Sequence, residues 1–163
     1  ENNLKETATL DCRICDSIIK TIAGRDDRIY LGTINGTERL TGWYPKGNLV
    51  GDFCPIGGLL KSQEKKLAEY MGLGYLIETI SDDACKVCSG CGELPEFKGI
   101  PYEILDEVLY IHETSNRDEF IRKIRESKID KEICNKIIKR SIFTDHKNDV
   151  FPEYVKINYP NRD

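Results

Sequence analysis

Cys12-Arg13-Ile14-Cys15 and Cys85-Lys86-Val87-Cys88-Ser89-Gly90-Cys91 are the two stretches that decide the predicted fold. Structural Zn²⁺ takes four tetrahedral thiolate or imidazole ligands, and two cysteines separated by two residues reach one ion from a single tight turn. Two such steps are the smallest set that completes the coordination. We therefore expect one Zn²⁺ per chain, with the ligands Cys12, Cys15, Cys88 and Cys91.

Cys85 is a competing ligand, because it stands at the same spacing from Cys88 as Cys91 does. Zinc also has a rival, since three cysteines at this spacing resemble the run that holds an iron–sulfur cluster. The fourth cysteine of that run, followed by proline, is missing here. A redox dithiol is disfavoured as well, because neither step opens a helix in a βαβ pattern. Zinc remains the preferred metal.

The residues between the cysteine steps predict mostly β-structure. The β-branched residues 17–22 suit a strand leaving the first step. Asn35-Gly36 tolerates the positive φ angles of a tight hairpin turn, so residues 28–34 and 37–43 are expected to pair. Ser62 is expected to cap one helix, and residues 75–80 are expected to form the strand that leads to the second step.

The pattern changes to helices after the second cysteine step. Pro101, Asn116 and Asp130 each stand before apolar residues at helical spacing, and each suits the start of a helix. The predicted fold class is α+β. A zinc-stapled antiparallel β-rich part at residues 1–98 is followed by a small helical part at residues 99–163, packed on the first as one globular unit.

Composition excludes several classes of protein. The chain has 163 residues, a net charge of −4 and 32% charged residues, which is typical of a folded domain. We see no apolar run of the roughly 18–20 residues that a membrane helix needs. An odd count of seven cysteines, mostly in tight steps, favours a reducing compartment and hence an intracellular location, in cytoplasm or nucleus.

Other candidate sites are weaker. Cys54 with His112 or His146 is imaginable as a thiol nucleophile and base, but Cys54 follows an apolar strand and core packing is the better interpretation. Trp43-Tyr44 suits either an aromatic platform or the core. Residues 114–163 carry 12 basic and 9 acidic groups, which favours a solvated surface over a phosphate-binding one.

The two cysteine steps, with a long β-rich insert between them, resemble the β-tent zinc domains of Yippee proteins, cereblon and RIG-I-like helicases. The resemblance covers residues 10–92 and depends on Cys12-Arg13-Ile14-Cys15 and the second cysteine cluster. It implies that zinc staples two sheets whose exposed face recognises a ligand. No partner-binding residue is transferred by it.

The sequence therefore predicts a zinc-binding recognition or regulatory module rather than an enzyme, and no catalytic residue is assigned. Its expected partner is a macromolecule, with protein favoured over nucleic acid because the chain is acidic overall, and no membrane is involved. The alternative is an iron–sulfur or thiol-dependent enzyme that uses Cys85, Cys88 and Cys91, or Cys54.

Overall fold

The structure is a computed structural model that describes residues 2–46, 50–80, 97 and 99–157. Helices dominate these residues, together with one 3-10 helix and two short strands. In chain order the elements are α1 (Asn2–Arg25), α2 (Gly36–Thr41), β1 (Phe53–Cys54), α3 (Lys61–Tyr70), α4 (Tyr75–Ile80), α5 (Tyr102–Thr114), α6 (Arg117–Ser127), α7 (Lys131–Thr144), the 3-10 helix (Asp145–Val150) and β2 (Glu153–Tyr154).

Helix α5 is the centre of the larger core. It packs against α2, α3, α6 and α7. Its apolar residues recur at three- and four-residue intervals, so one stripe of the helix meets all of these neighbours. The resulting cluster of buried side chains contains Leu40, Leu60, Phe97, Leu105, Val108, Leu109, Cys134 and Ile137.

A smaller cluster lies beside a two-stranded parallel sheet. Strand β1 pairs with β2 so that Phe53 stands opposite Glu153 and Cys54 opposite Tyr154. Leu31 bridges to the same region through Gly51 and Phe53. The buried residues of this cluster are Ile34, Tyr44, Val50 and Cys54.

Helix α2 is fixed at its C-terminal end by residues that follow α7. Gly42 has a positive φ of 61° and donates its N–H back into the helix, a left-handed cap that costs glycine least. The Lys147 ammonium donates to the carbonyls of Gly42 at 2.7 Å and Tyr44 at 2.8 Å. A cation at the C-terminal end of a helix is favourable, so Lys147 holds the turn in place.

The predicted α+β class with an antiparallel β-rich part is wrong. Asn35-Gly36 does not form a hairpin turn, because Asn35 caps α2 with its side chain. Residues 75–80 form α4, and residues 17–22 lie within α1. A short β-branched run does not distinguish a strand from one face of a long helix, and the carboxamide that suits a turn also suits an N-cap.

The helical prediction after residue 100 is confirmed. Asn116 caps α6, where its side-chain oxygen accepts from the N–H groups of Asp118 and Glu119, and Asp130 caps α7 in the same way. Pro101 stands directly before α5. The division of the chain at residues 98 and 99 stays a prediction. Across the residues that the structure describes, no helix is long and apolar enough to cross a membrane.

Candidate functional site

The N-termini of α2 and α3 meet at a cluster of charged side chains. Asn35 begins α2 with a capping box, because its side-chain oxygen accepts from the Glu38 N–H at 2.9 Å and its own N–H donates to Glu38 Oε2 at 2.9 Å. Asn35 is buried, so this cap is fixed by its surroundings. Glu38 is thereby held at the start of α2.

Asn35 also links this cap to the first turn of α3. Its Nδ2 donates to Glu64 Oε2 at 3.2 Å. Glu64 in turn pairs with the Lys61 ammonium at 3.1 Å, and the two side chains are 26% and 17% exposed. Lys61 is thus a largely buried cation that is paired with Glu64 and stands at the positive end of a ten-residue helix.

A buried carboxylate on α5 accepts hydrogen bonds from the first turns of both α2 and α3. Asp106 Oδ1 accepts from the Thr37 hydroxyl at 2.5 Å, and Asp106 Oδ2 accepts from the Ser62 N–H at 2.7 Å. The same Thr37 oxygen accepts from the Lys61 N–H at 2.8 Å. These contacts fix α2, α3 and α5 relative to one another, and with them the spacing of Glu38, Lys61 and Glu64.

Burial shifts the acid–base properties of this cluster. Loss of solvent raises the pKa of Glu38, opposed by the hydrogen bond from Asn35 and by the charge of Lys61 and reinforced by Glu64. Burial also raises the pKa of Asp106, partly offset by the bonds from Thr37 and Ser62. Carboxyl groups with raised pKa values beside a cation are common at functional sites, although structural networks also produce them.

A close-packed loop precedes the cluster. Gly32 lies so near Val50 that an added Cβ would stand 2.0 Å from the Val50 carbonyl oxygen, so only glycine fits there. Behind this loop, the Cys54 thiol donates to the Ile34 carbonyl at 3.0 Å. Cys54 is inaccessible to solvent, and burial raises the pKa of its thiol. Those are the properties of a packed cysteine and not of an activated nucleophile.

The predicted zinc staple is wrong. Cys12 and Cys15 lie within the long helix α1, and not in the tight turn of a zinc knuckle. In the parts of the chain that the structure describes, no three His, Cys, Asp or Glu side chains are placed to hold a metal ion. The second set of predicted ligands lies outside the described residues, so the ligand set itself stays untested; these residues are Cys85, Cys88 and Cys91.

The remaining candidates have structural places. Tyr44 is buried edge-on against Phe151, and its hydroxyl donates to Asn148, so it fills the core. His112 packs against Phe120. His146 lies beside the Phe143 carbonyl. The aromatic platform and the Cys–His hydrolase site thus have no support from these contacts.

The charged cluster was not predicted from the sequence. The signal was present in Asn35-x-x-Glu38, which has the spacing of a capping box. It was interpreted as a hairpin because glycine follows Asn35. Asp106 carried no local signal, since its partners Thr37 and Ser62 lie 69 and 44 residues away in the chain.

Comparison with known proteins gives a consistent family. The sequence profile of NAD synthase matches residues 1–150. A relative from Staphylothermus marinus is 35% identical, and the match covers 64% of this chain and 38% of the relative. A relative from Methanocaldococcus jannaschii is 31% identical, and the match covers 88% of this chain and 54% of the relative. A relative from Halobacterium salinarum is 35% identical, and the match covers 56% of this chain and 34% of the relative. All three are named NH3-dependent NAD+ synthetase. No solved structure matches the chain significantly.

The family profile and these relatives define one class of protein. The chain belongs to the NAD synthase family. The resemblance to β-tent zinc domains is therefore wrong, as are the zinc cofactor and the zinc-dependent recognition module. The alternative prediction of an enzyme is closer to this family, but its iron–sulfur cluster is not supported. The chain spans about a third to a half of the length of the relatives it matches.

Proposed function

We propose that this chain forms part of an ammonia-dependent NAD+ synthetase. The observation that carries the proposal is the match of the NAD synthase profile to residues 1–150, together with relatives that bear this name. NAD+ ends in a carboxamide, so ammonia as the nitrogen source means formation of a C–N bond at a carboxyl carbon. A carboxylate does not react with ammonia in water, and it must first be activated.

The charged cluster suits the binding of such a substrate. Lys61 is 17% exposed and stands at the N-terminus of α3, where the helix dipole favours an anion such as a phosphate. Its ammonium group bonds to both oxygens of Glu64, so a bound anion would share this cation with Glu64. Glu64 pairs with Lys61, and Asn35 donates to Glu64, so these contacts link the starts of α2 and α3. We assign Lys61 the binding of an anionic group of the dinucleotide, and Glu38 a place beside it.

Lys61→Ala tests this assignment. Loss of one charge-assisted contact costs about 1.5–3 kcal/mol, which predicts roughly 10- to 100-fold slower NAD+ formation. The assay supplies each variant with the deamido form of NAD+, ATP and an ammonium salt. Lys66→Ala, an exposed lysine of the same helix, is the control and should leave the rate unchanged. Equal rates in both variants would contradict the role of Lys61.

Location and partners remain proposals as well. Cys54 and Cys134 are buried free thiols, which supports an intracellular place in a reducing compartment. A nucleic-acid partner predicts a steep loss of affinity with added salt.

A further inference from the structure

A pocket of about 310 Å³ lies between α2, α5 and the residues around β2. That volume is at the small end of the range for ligand sites, which is roughly 300–1,000 Å³. Gly36 and Leu40 line the pocket one turn of α2 apart, whereas Glu38, midway between them, lies on the opposite side of that helix. Among the described residues, the pocket shares no lining residue with the charged cluster, so it is a separate site.

The wall of this pocket contains a buried arginine, Arg39, which is 9% exposed. Its Nε donates to the Gly57 carbonyl at 3.0 Å. Its guanidinium carbon lies 4.7 Å from the centre of the Tyr154 ring. A guanidinium stacks favourably on an aromatic face, and together with the bond to Gly57 this stacking fixes the plane of the group. Arg39 is therefore held in one orientation before any ligand binds.

The two Nη atoms of Arg39 open on the pocket. Nη2 lies 3.7 Å from Glu113 Oε1, which is an ion pair but is longer than a hydrogen bond. Within the described part of the chain, neither Nη atom donates a hydrogen bond, and no buried side-chain nitrogen lacks a partner, so both atoms are accessible. A partly desolvated charge is favourable only where it is paired and hydrogen-bonded, so an anion that accepts from both Nη atoms would stabilise this site.

The charge and shape of the lining favour a small carboxylate. Lys156 also lines the pocket, so two cations, Arg39 and Lys156, face one anion, Glu113. The parallel N–H groups of a guanidinium match the two oxygens of a carboxylate. The rest of the lining includes apolar side chains. We infer that the pocket binds a small organic monocarboxylate whose carboxylate pairs with Arg39 and whose apolar body contacts Leu40 and Leu60.

Benzoate is the probe, because it combines one carboxylate with a flat apolar body. In an NMR titration of the ¹⁵N-labelled protein, benzoate should shift the backbone amide signals of residues 36–40 and 113–114, with a Kd on the order of 1 mM or below. Benzamide has the same shape without the charge, and inorganic phosphate has charge without the apolar body, so each should bind at least roughly tenfold more weakly.

Two results of this titration would overturn the inference. Benzoate that causes no shift at these residues would show that the pocket does not bind a carboxylate. Benzamide or phosphate that binds as well as benzoate would show that the site recognises an apolar body or a charge alone. The measurement needs no catalysis, so its outcome is independent of the proposed function.

Substitutions of the charged side chains test the role of Arg39. Arg39→Lys keeps the charge but loses the two-nitrogen fork, so benzoate binding should weaken roughly 10- to 100-fold. Because Arg39 is buried, a loss in that variant alone does not distinguish binding from folding. Glu113→Gln removes an exposed anion that competes for Arg39, and it should instead strengthen binding roughly two- to fivefold. Misfolding does not produce such a gain, so unchanged or weaker binding in Glu113→Gln would contradict the inference.

A matched pair of exposed threonines localises the binding. The hydroxyls of Thr114 and Thr21 each donate at 2.7 Å to the carbonyl four residues earlier in a helix, but only Thr114 lines the pocket. Thr114→Trp should abolish benzoate binding because the indole fills the pocket, whereas Thr21→Trp should leave it unchanged. Benzoate binding that survives Thr114→Trp would place the ligand elsewhere on the protein and overturn the inference.

Discussion

Asp106 is a buried carboxylate that accepts one hydrogen bond from the Thr37 hydroxyl and one from the Ser62 N–H. Asp106→Asn replaces one acceptor oxygen by a donor, which leaves one of those two groups unsatisfied. We expect a loss of about 1–3 kcal/mol in the free energy of unfolding. Urea denaturation measures it, with the exposed Glu107→Gln as the matched control. Equal stability of both variants would show that the bridge contributes nothing.

The pH dependence of Asp106 follows from its raised pKa. A carboxyl whose folded pKa lies above its unfolded value of 3.8 contributes stability that is fully present below that value. The contribution is lost as the pH rises through the folded pKa. The stability difference between the wild type and Asp106→Asn should therefore widen as the pH falls from 7 toward about 4. A difference that narrows over this range would contradict the burial of an ionisable Asp106.

At the scale of single elements, the contributions of the capping boxes of α2 and α6 to stability can be compared directly. Asn35 and Asn116 make the same cap, but Asn35 is buried and also donates to Glu64. Loss of an N-cap costs about 1 kcal/mol, so Asn116→Ala should cost that amount and Asn35→Ala more. Thermal or urea unfolding of the two variants gives the comparison. A larger loss in Asn116→Ala would argue against the link between α2 and α3.

Alanine substitutions at Gly42 and Gly72 separate the cost of a strained backbone from the cost of steric crowding. Both have positive φ angles, but an added Cβ at Gly42 would lie 2.4 Å from Thr144 Cβ, while nothing lies within 4 Å at Gly72. Gly72→Ala should cost about 1–2 kcal/mol from the left-handed backbone alone. Gly42→Ala should cost more, because α7 must also move. Equal losses in denaturant unfolding would contradict the close approach of α2 and α7.

Elements were predictable from the sequence where the deciding interaction is local. Asn116 and Asp130 act within three residues, so their helices were found. The strand at residues 75–80 was wrong because a short apolar run has no clear period. The hairpin at Asn35 was wrong because a carboxamide suits an N-cap as well as a turn. The further bond from Asn35 to Glu64 spans 29 residues of the chain and has no local signal. The candidate site depends on such distant contacts, and it was missed.

For the whole molecule, the main error was to give the cysteine spacing a structural role. Cys12 and Cys15 lie within α1. The chain is a mostly helical member of the NAD synthase family and does not have the predicted zinc fold. Spacing alone does not show whether two thiols lie in a turn or on a helix. The exposure of apolar side chains of α1, such as Ile14 and Ile18, was also beyond prediction, because the sequence does not show which apolar face is exposed in the folded chain.

Incorporation of ¹⁵N from labelled ammonium into NAD+ is the measurement that tests the account most directly. The protein is incubated with deamido-NAD+, ATP and ¹⁵NH₄⁺, and the mass of the product is measured by mass spectrometry. An ammonia-dependent synthetase places the label in the carboxamide, so NAD+ should gain one mass unit, and Lys61→Ala should slow its appearance while Lys66→Ala should not. Absence of labelled NAD+ would contradict the proposed function.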